Sequence, residues 1–167
     1  MKPLIFTLVG PDKPGLISSL SKAVYQRKGN WLASNFSHMA GHFAGFVHIV
    51  LPEENHAELI ELFSQHPDLR IHLVSAQTTH LKNQQTVEIT ITGNDKTGIV
   101  QELTRVLNQF NLNIIKFDSS CTSAPNSGNP LFNAKAIVEL APDVDLVNLR
   151  EALENIANDL MIDVDLI

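Results

Sequence analysis

Apolar positions in this chain fall into short blocks whose spacing alternates between two periods. Leu4 to Val9 is a short apolar run stopped by Gly10-Pro11, the pattern of a buried strand. Pro14 suits the first turn of a helix, where its missing N–H has no intrahelical partner anyway. Leu16, Leu20, Ala23, Val24 and Arg27 then recur at helical spacing until Gly29-Asn30 ends the run. Trp31 to Met39 and Phe43 to Leu51 read as two strands of a hairpin turning at Gly41. After Pro52, the spacing of Leu59, Leu62 and Phe63 marks a second helix, broken at Pro67-Asp68. Leu69, Ile71, Leu73 and Ser75 alternate with Arg70, His72 and Val74 as a final strand. The order is strand, helix, strand, strand, helix, strand.

The second half repeats this order. Val87, Ile89 and Ile91 alternate with Glu88, Thr90 and Thr92, as in a half-buried strand. Ile99, Leu103, Val106, Leu107 and Phe110 reproduce the first helix 83 residues later. Leu112 to Cys121 and Leu131 to Leu140 form the second hairpin. Asp145 to Asn158 reads as a helix with Leu146, Leu149, Ala152, Leu153 and Ile156 inward, and Leu160 to Ile167 closes the sheet. Pro52 matches Pro142 at an offset of 90, so seven residues are added, expected in the turn-rich stretch Thr122 to Pro130. A repeat of this length means one structural unit written twice. The expected domains are 1–80 and 86–167, joined by a polar linker over 81–85 short enough to let the halves pack side by side. The fold class is α+β, two βαββαβ units.

Composition narrows the function classes. With 44% hydrophobic and 18% charged residues among 167, the chain has the make-up of an ordinary globular protein. Its longest apolar runs are too short to span a bilayer, and Met1-Lys2-Pro3 opens no signal peptide. Cys121 is the single cysteine, which excludes an internal disulfide. These features point to the cytoplasm and to no membrane partner. The net charge is −6, and the twelve Lys and Arg form no stripe, which disfavours direct nucleic-acid binding.

The candidate chemistry lies in the phrase GPDKPGLI, Gly10 to Ile17, and its copy GNDKTGIV, Gly93 to Val100. Each stands between a strand and a helix. A helix N-terminus offers N–H donors and a favourable dipole to a carboxylate. Gly15 and Gly98 let a ligand approach the backbone. Asp12 and Asp95 supply an acceptor for an ammonium group. Together these match the two charged ends of an α-amino acid. Asn30 and Asn113, at the start of the following strand, are candidates to reach a ligand held by a neighbouring turn. The same residues also have a structural reading: Asp before a helix is a common cap, and Gly there serves backbone geometry.

The segments VGPDKPGLISSLSKAVYQRKGNWLASN and TGNDKTGIVQELTRVLNQFNLNIIKFD, with their strand–helix–strand order and D-x-x-G turn, resemble the ACT domain over nearly the whole chain. That resemblance implies two tandem ferredoxin-like domains, antiparallel sheets with helices on one face. Tandem ACT units with nothing else resemble the glycine cleavage system transcriptional repressors. This implies a non-enzymatic regulator that responds to a small amino acid, glycine favoured, through a protein partner such as a DNA-binding activator. Family ligand sites lie between neighbouring units. Carried over, they comprise Gly10, Asp12, Gly15 and Asn30 in the first half and Gly93, Asp95, Gly98 and Asn113 in the second. Asn113-Ile114 keeps the usual pair, whereas Trp31 follows Asn30 and either joins the core or narrows the site, which makes the two sites unequal.

Other constellations carry less. His38 and His42 flank a turn without an obvious third metal ligand, so solvated or packed histidines are expected. Asp143-Val144-Asp145-Leu146-Val147 superficially resembles a phosphatase signature, but Asp145 reads better as a helix cap. Cys121 has only His80 and Lys116 as conceivable activating partners. No cofactor motif appears. Two rival readings are the regulatory module of an enzyme such as formyltetrahydrofolate deformylase, and a structural module whose sheet edges pair in a homo-oligomer.

Overall fold

The computed structural model describes residues 1–76, 85–123, 128–156 and 158–167. The chain divides into two compact units, Met1–His80 and Leu81–Ile167. All of the expected linker over 81–85 except Gln85 lies outside the described residues, as do 124–127 in the second hairpin. The first unit contains β1 (Lys2–Pro11), α1 (Leu16–Gln26), β2 (Asn30–Met39), β3 (His42–Leu51), a 3-10 turn Glu53–Asn55, α2 (His56–Ser64) and β4 (Arg70–Ser75). The second contains β5 (Thr86–Asn94), α3 (Ile99–Gln109), β6 (Asn113–Ser123), β7 (Pro130–Glu139), α4 (Leu146–Glu154) and β8 (Met161–Leu166). The sheet orders are β2-β3-β1-β4 and β6-β7-β5-β8, every pairing antiparallel. This is the βαββαβ ferredoxin-like arrangement in both halves.

Alternation on the strands explains why the helices share one face. Leu4, Phe6 and Leu8 on β1 and Val47, Ile49 and Leu51 on β3 are buried, while their neighbours turn outward. They meet Leu16, Leu20, Ala23 and Val24 of α1 and Leu59 and Phe63 of α2 in one core. In the second unit Val87, Ile89 and Ile91 meet Leu103, Leu107, Leu149 and Leu153. Each such side chain contributes about 1.5–3 kcal/mol of burial. The cores differ in kind. The first holds a run of aromatic contacts, with Phe6 edge-on to Phe63 at 4.9 Å and to Trp31 at 5.9 Å. Trp31 then leans on Phe36, which stacks on Phe43 at 5.0 Å. Trp31 therefore packs, partly buried, against the core.

Several local features depart from the sequence expectations. β1 continues through Gly10 and Pro11, because both still pair with β3 at Phe43 and His42. Pro14 precedes the helix, whose N-cap is Gly15. α1 ends at Gln26, short of Gly29: Lys28 takes the left-handed conformation at φ 58, and Lys28 and Gly29 donate to the Tyr25 and Val24 carbonyls. Asn111 and Leu112 repeat that Schellman closure after α3. Leu62 is exposed, since α2 turns only Leu59 and Phe63 into the core. α4 stops at Glu154, four residues before the expected end.

Strand registers also divide the inserted residues. The first hairpin closes over Ala40 and Gly41, both at positive φ, a two-residue turn matched to strand twist. His38 pairs with Phe43 and Cys121 with Phe132, so six of the seven extra residues lie in the second hairpin. Leu51 ends β3, and its equivalent Leu140 directly follows β7 and still donates to the Gln85 carbonyl, which leaves the seventh, Ala141, in the connection to α4. No helix of the described residues is long and apolar enough to cross a membrane.

Gly10 and Gly93 occupy equivalent close approaches. A Cβ on Gly10 would run into the Asp68 carbonyl and lie 2.8 Å from Leu69 Cδ2. On Gly93 it would lie 2.6 Å from Leu160 Cδ2 and 2.8 Å from the Asp159 carbonyl. Gly10→Ala or Gly93→Ala should therefore lower stability by about 1–3 kcal/mol, read as a lower urea midpoint. Leu103→Ala, at a fully buried site, should cost about 2–5 kcal/mol.

Candidate functional site

The two repeated turns share one backbone frame. Gly15 and Gly98 cap α1 and α3 in the left-handed conformation, at φ 87 and 85, and nothing lies within 4 Å of where a Cβ would project. These glycines answer a backbone need and leave open space, whereas Gly10 and Gly93 answer a packing need one strand-end away. Neither N-cap receives a side-chain hydrogen bond. The first-turn N–H groups of both helices thus lack the usual side-chain cap, although Ile99 N–H donates to the Lys96 carbonyl at 3.2 Å. A cavity of about 220 Å³ at the first turn is lined by Asp12, Lys13, Gly15, Leu16, Ile17, Ser18 and Phe43.

Asp12 and Asp95 are held by their own backbone rather than as caps. Asp12 N–H donates to the Gly41 carbonyl at 3.3 Å and Asp95 N–H to the Pro130 carbonyl at 3.0 Å. Each bond ties the turn to the start of the adjoining hairpin strand and fixes where the carboxylate emerges. Asp12 remains half exposed and has the His38 ring 3.9 Å away. Asp95 has the exposed Cys121 beside it. His38 and Cys121 are the same position of the repeat, 83 residues apart. Desolvation first, then hydrogen bonding to Asp95 and its negative charge, push the thiol above its ordinary range. Lys116 is paired with Asp118 at 2.8 Å, and His80 lies outside the described residues.

Neighbouring lysines differ as well. Lys13 pairs with Asp68 at the entrance to β4. Lys96 instead bonds Glu102 at 2.8 Å and the Ile156 carbonyl at 3.2 Å. Asn94 takes over the acid next to β8, donating to Asp159 at 2.7 Å.

Asn30 and Asn113 are not brought to the turn of their own unit. Asn30 pairs with Val50, at the opposite end of β3 from Phe43 beside the turn. Seven residues of strand separate them, roughly 23 Å. Asn113 stands likewise opposite Glu139 and donates to its carboxylate at 2.9 Å. Among the described residues no group of three or more His, Cys, Asp and Glu can hold a metal ion. His42 Nδ1 lies 3.2 Å from the Ala40 carbonyl, within its own turn. Asp145 caps α4, accepting from Val147 N–H at 2.9 Å. Sequence reasoning missed His38 and Cys121 as partners of the two acids, although the 83-residue offset placed them in register.

The ACT domain family pattern matches residues 2–73 and again 85–166. The chain belongs to the ACT domain family. Two solved structures align over nearly all of the ACT pair. One is an unknown protein from Galdieria sulphuraria, 23% identical with a TM-score of 0.83, covering 99% of this chain and 98% of its own. The other is described as a candidate glycine cleavage system transcriptional repressor, 21% identical with a TM-score of 0.69, covering 99% and 97%. At these identities the likeness is one of fold. No curated protein matches the chain.

Two measurements check the geometry of the turns. Gly15→Ala meets no atom but must hold a positive φ, so it should cost roughly 1–2 kcal/mol, without the overpacking expected at Gly10. Asp95→Asn removes the negative charge beside Cys121, so maleimide labelling of the thiol near pH 7.5 should quicken by roughly twofold to tenfold.

Proposed function

We propose that this tandem ACT protein is a non-enzymatic sensor of a small amino acid, glycine first, that regulates transcription through a protein partner. The observation that carries the reading is the turn itself, present twice in one backbone frame. Each copy sets a carboxylate, Asp12 or Asp95, beside a helix start capped by a left-handed glycine. The carboxylate complements an ammonium group, and the first-turn N–H groups complement a carboxylate. The hollow of about 220 Å³ at the first turn leaves room for a small molecule beside Asp12. Membership of a regulatory domain family over both halves supports a sensing role. The full-length fold match to a candidate glycine cleavage repressor supports glycine as ligand and transcription as output. A net charge of −6 and scattered basic residues favour action through a partner over direct contact with DNA. With such a partner the protein works in the cytoplasm; Gly10 and Gly93 frame the turns, and Asn30 and Asn113 remain candidates to reach a ligand held by a neighbouring turn.

Calorimetric titration with glycine, serine and larger amino acids tests it. Glycine should bind, and Asp12→Ala or Asp95→Ala should each weaken one site by roughly tenfold to a hundredfold, the range of a hydrogen bond to a charged group. Absence of heat with every amino acid at submillimolar protein would overturn the sensing role. Unchanged binding in both variants would remove the two acids from it.

A further inference from the structure

The two turns share their backbone and differ in what faces the acid. Asp12 faces His38, 3.9 Å away on the edge strand β2. Asp95 has Cys121 beside it, at the same place on β6. We infer that this position makes the turns unequal sensors: His38 couples ligand binding in the first unit to pH, and Cys121 leaves the second unit insensitive to it. The inference rests on the sensing role proposed above for Asp12 and Asp95.

The physical basis is competition for one carboxylate. A protonated imidazole pairs with Asp12, and the ligand's ammonium must displace it. A neutral imidazole offers no such rival. Imidazoles change charge across the physiological range, so the first turn binds less well on the acid side and recovers as pH rises. The thiol beside Asp95 has no cationic form, so at no pH does it offer the ligand's ammonium a positively charged rival. Competition in the second turn is therefore fixed.

The surroundings of His38 leave Asp12 as its counter-charge. Lys13, on the same turn, is engaged by Asp68. The first turn of α1 brings no acidic residue. Opposite His38 in the ladder stands Phe43, and His42 next to it turns to the Ala40 carbonyl. Asp12 and His38 are each more than half exposed, so salt screens the pairing and the effect is modest in size.

Single-site proteins test the assignment. In an Asp95→Ala background, which leaves the first turn, glycine should bind roughly threefold to tenfold more weakly at pH 5.5 than at pH 7.5. In an Asp12→Ala background the change should stay under about twofold, and this arm controls for protonation of the acid itself. Adding His38→Gln to the first background should flatten the pH response, and adding Cys121→His to the second should create one. Equal pH responses in the two backgrounds, or a response that survives His38→Gln, would overturn the inference while glycine binding at pH 7.5 upholds the sensing role. No glycine binding by the unsubstituted protein at pH 7.5 would overturn both.

Discussion

Each unit depends on one close approach, where its first strand runs past the start of its last. Gly10 lies against Asp68 and Leu69, and Gly93 against Asp159 and Leu160, with no room for a side chain. That contact seats the central strand between both neighbours and fixes the point at which the chain leaves the sheet. The left-handed glycine five residues on then turns it directly into a helix. The core faces of strand and helix meet only if the turn is this short. The acid in the turn is pinned by its own N–H to the hairpin beside it, so its place follows from the same backbone rather than from a side-chain network.

A rigid frame separates what the repeats keep from what they change. The registers of β1 with β3 and of β5 with β7 superimpose residue for residue, Gly10 opposite Phe43 and Gly93 opposite Phe132. Side chains inside the frame do not. Phe6, Trp31, Phe36 and Phe63 of the first unit stand where Ile89, Ile114, Ser119 and Leu153 stand in the second. Arg27 also ties the end of α1 to α2 in the first unit, through the Ala23 carbonyl and Glu58, and Phe110 replaces it in the second. The chemistry around each turn diverges on the exposed side, where substitution costs the core nothing.

The βαββαβ order, the antiparallel class and the buried faces of α1 and α3 were legible because burial follows period. Leu16, Leu20, Ala23 and Val24 are as regular in sequence as in space. Boundaries were less legible, since neighbours decide them. β1 outruns its stop signals because β3 supplies partners for Gly10 and Pro11, and Lys28, not a glycine, takes the left-handed position that ends α1. Of the candidate site, the acids and glycines were visible as a repeated phrase. What separates Gly10 from Gly15 was not, because one serves a contact with a residue nearly sixty positions away and the other a dihedral angle. The pairing of Asp12 with His38 and Asp95 with Cys121 likewise needs the hairpin to fold back onto the turn.

Identical registers carry a hazard that unlike cores remove. Two copies of one topology in a single chain invite strand exchange during synthesis or refolding, a known failure of tandem domains. A β1 seated in the wrong sheet would find matching backbone partners at every position. It would also force Phe6 into the space shaped for Ile89, beside Ala136 and Leu153 rather than Val47 and Phe63. The reverse exchange would leave a void against Phe63 and Trp31. Aromatic neighbours at Phe6 in one core and aliphatic neighbours at Ile89 in the other thus act as an address for each strand, directing it to its own half of the chain.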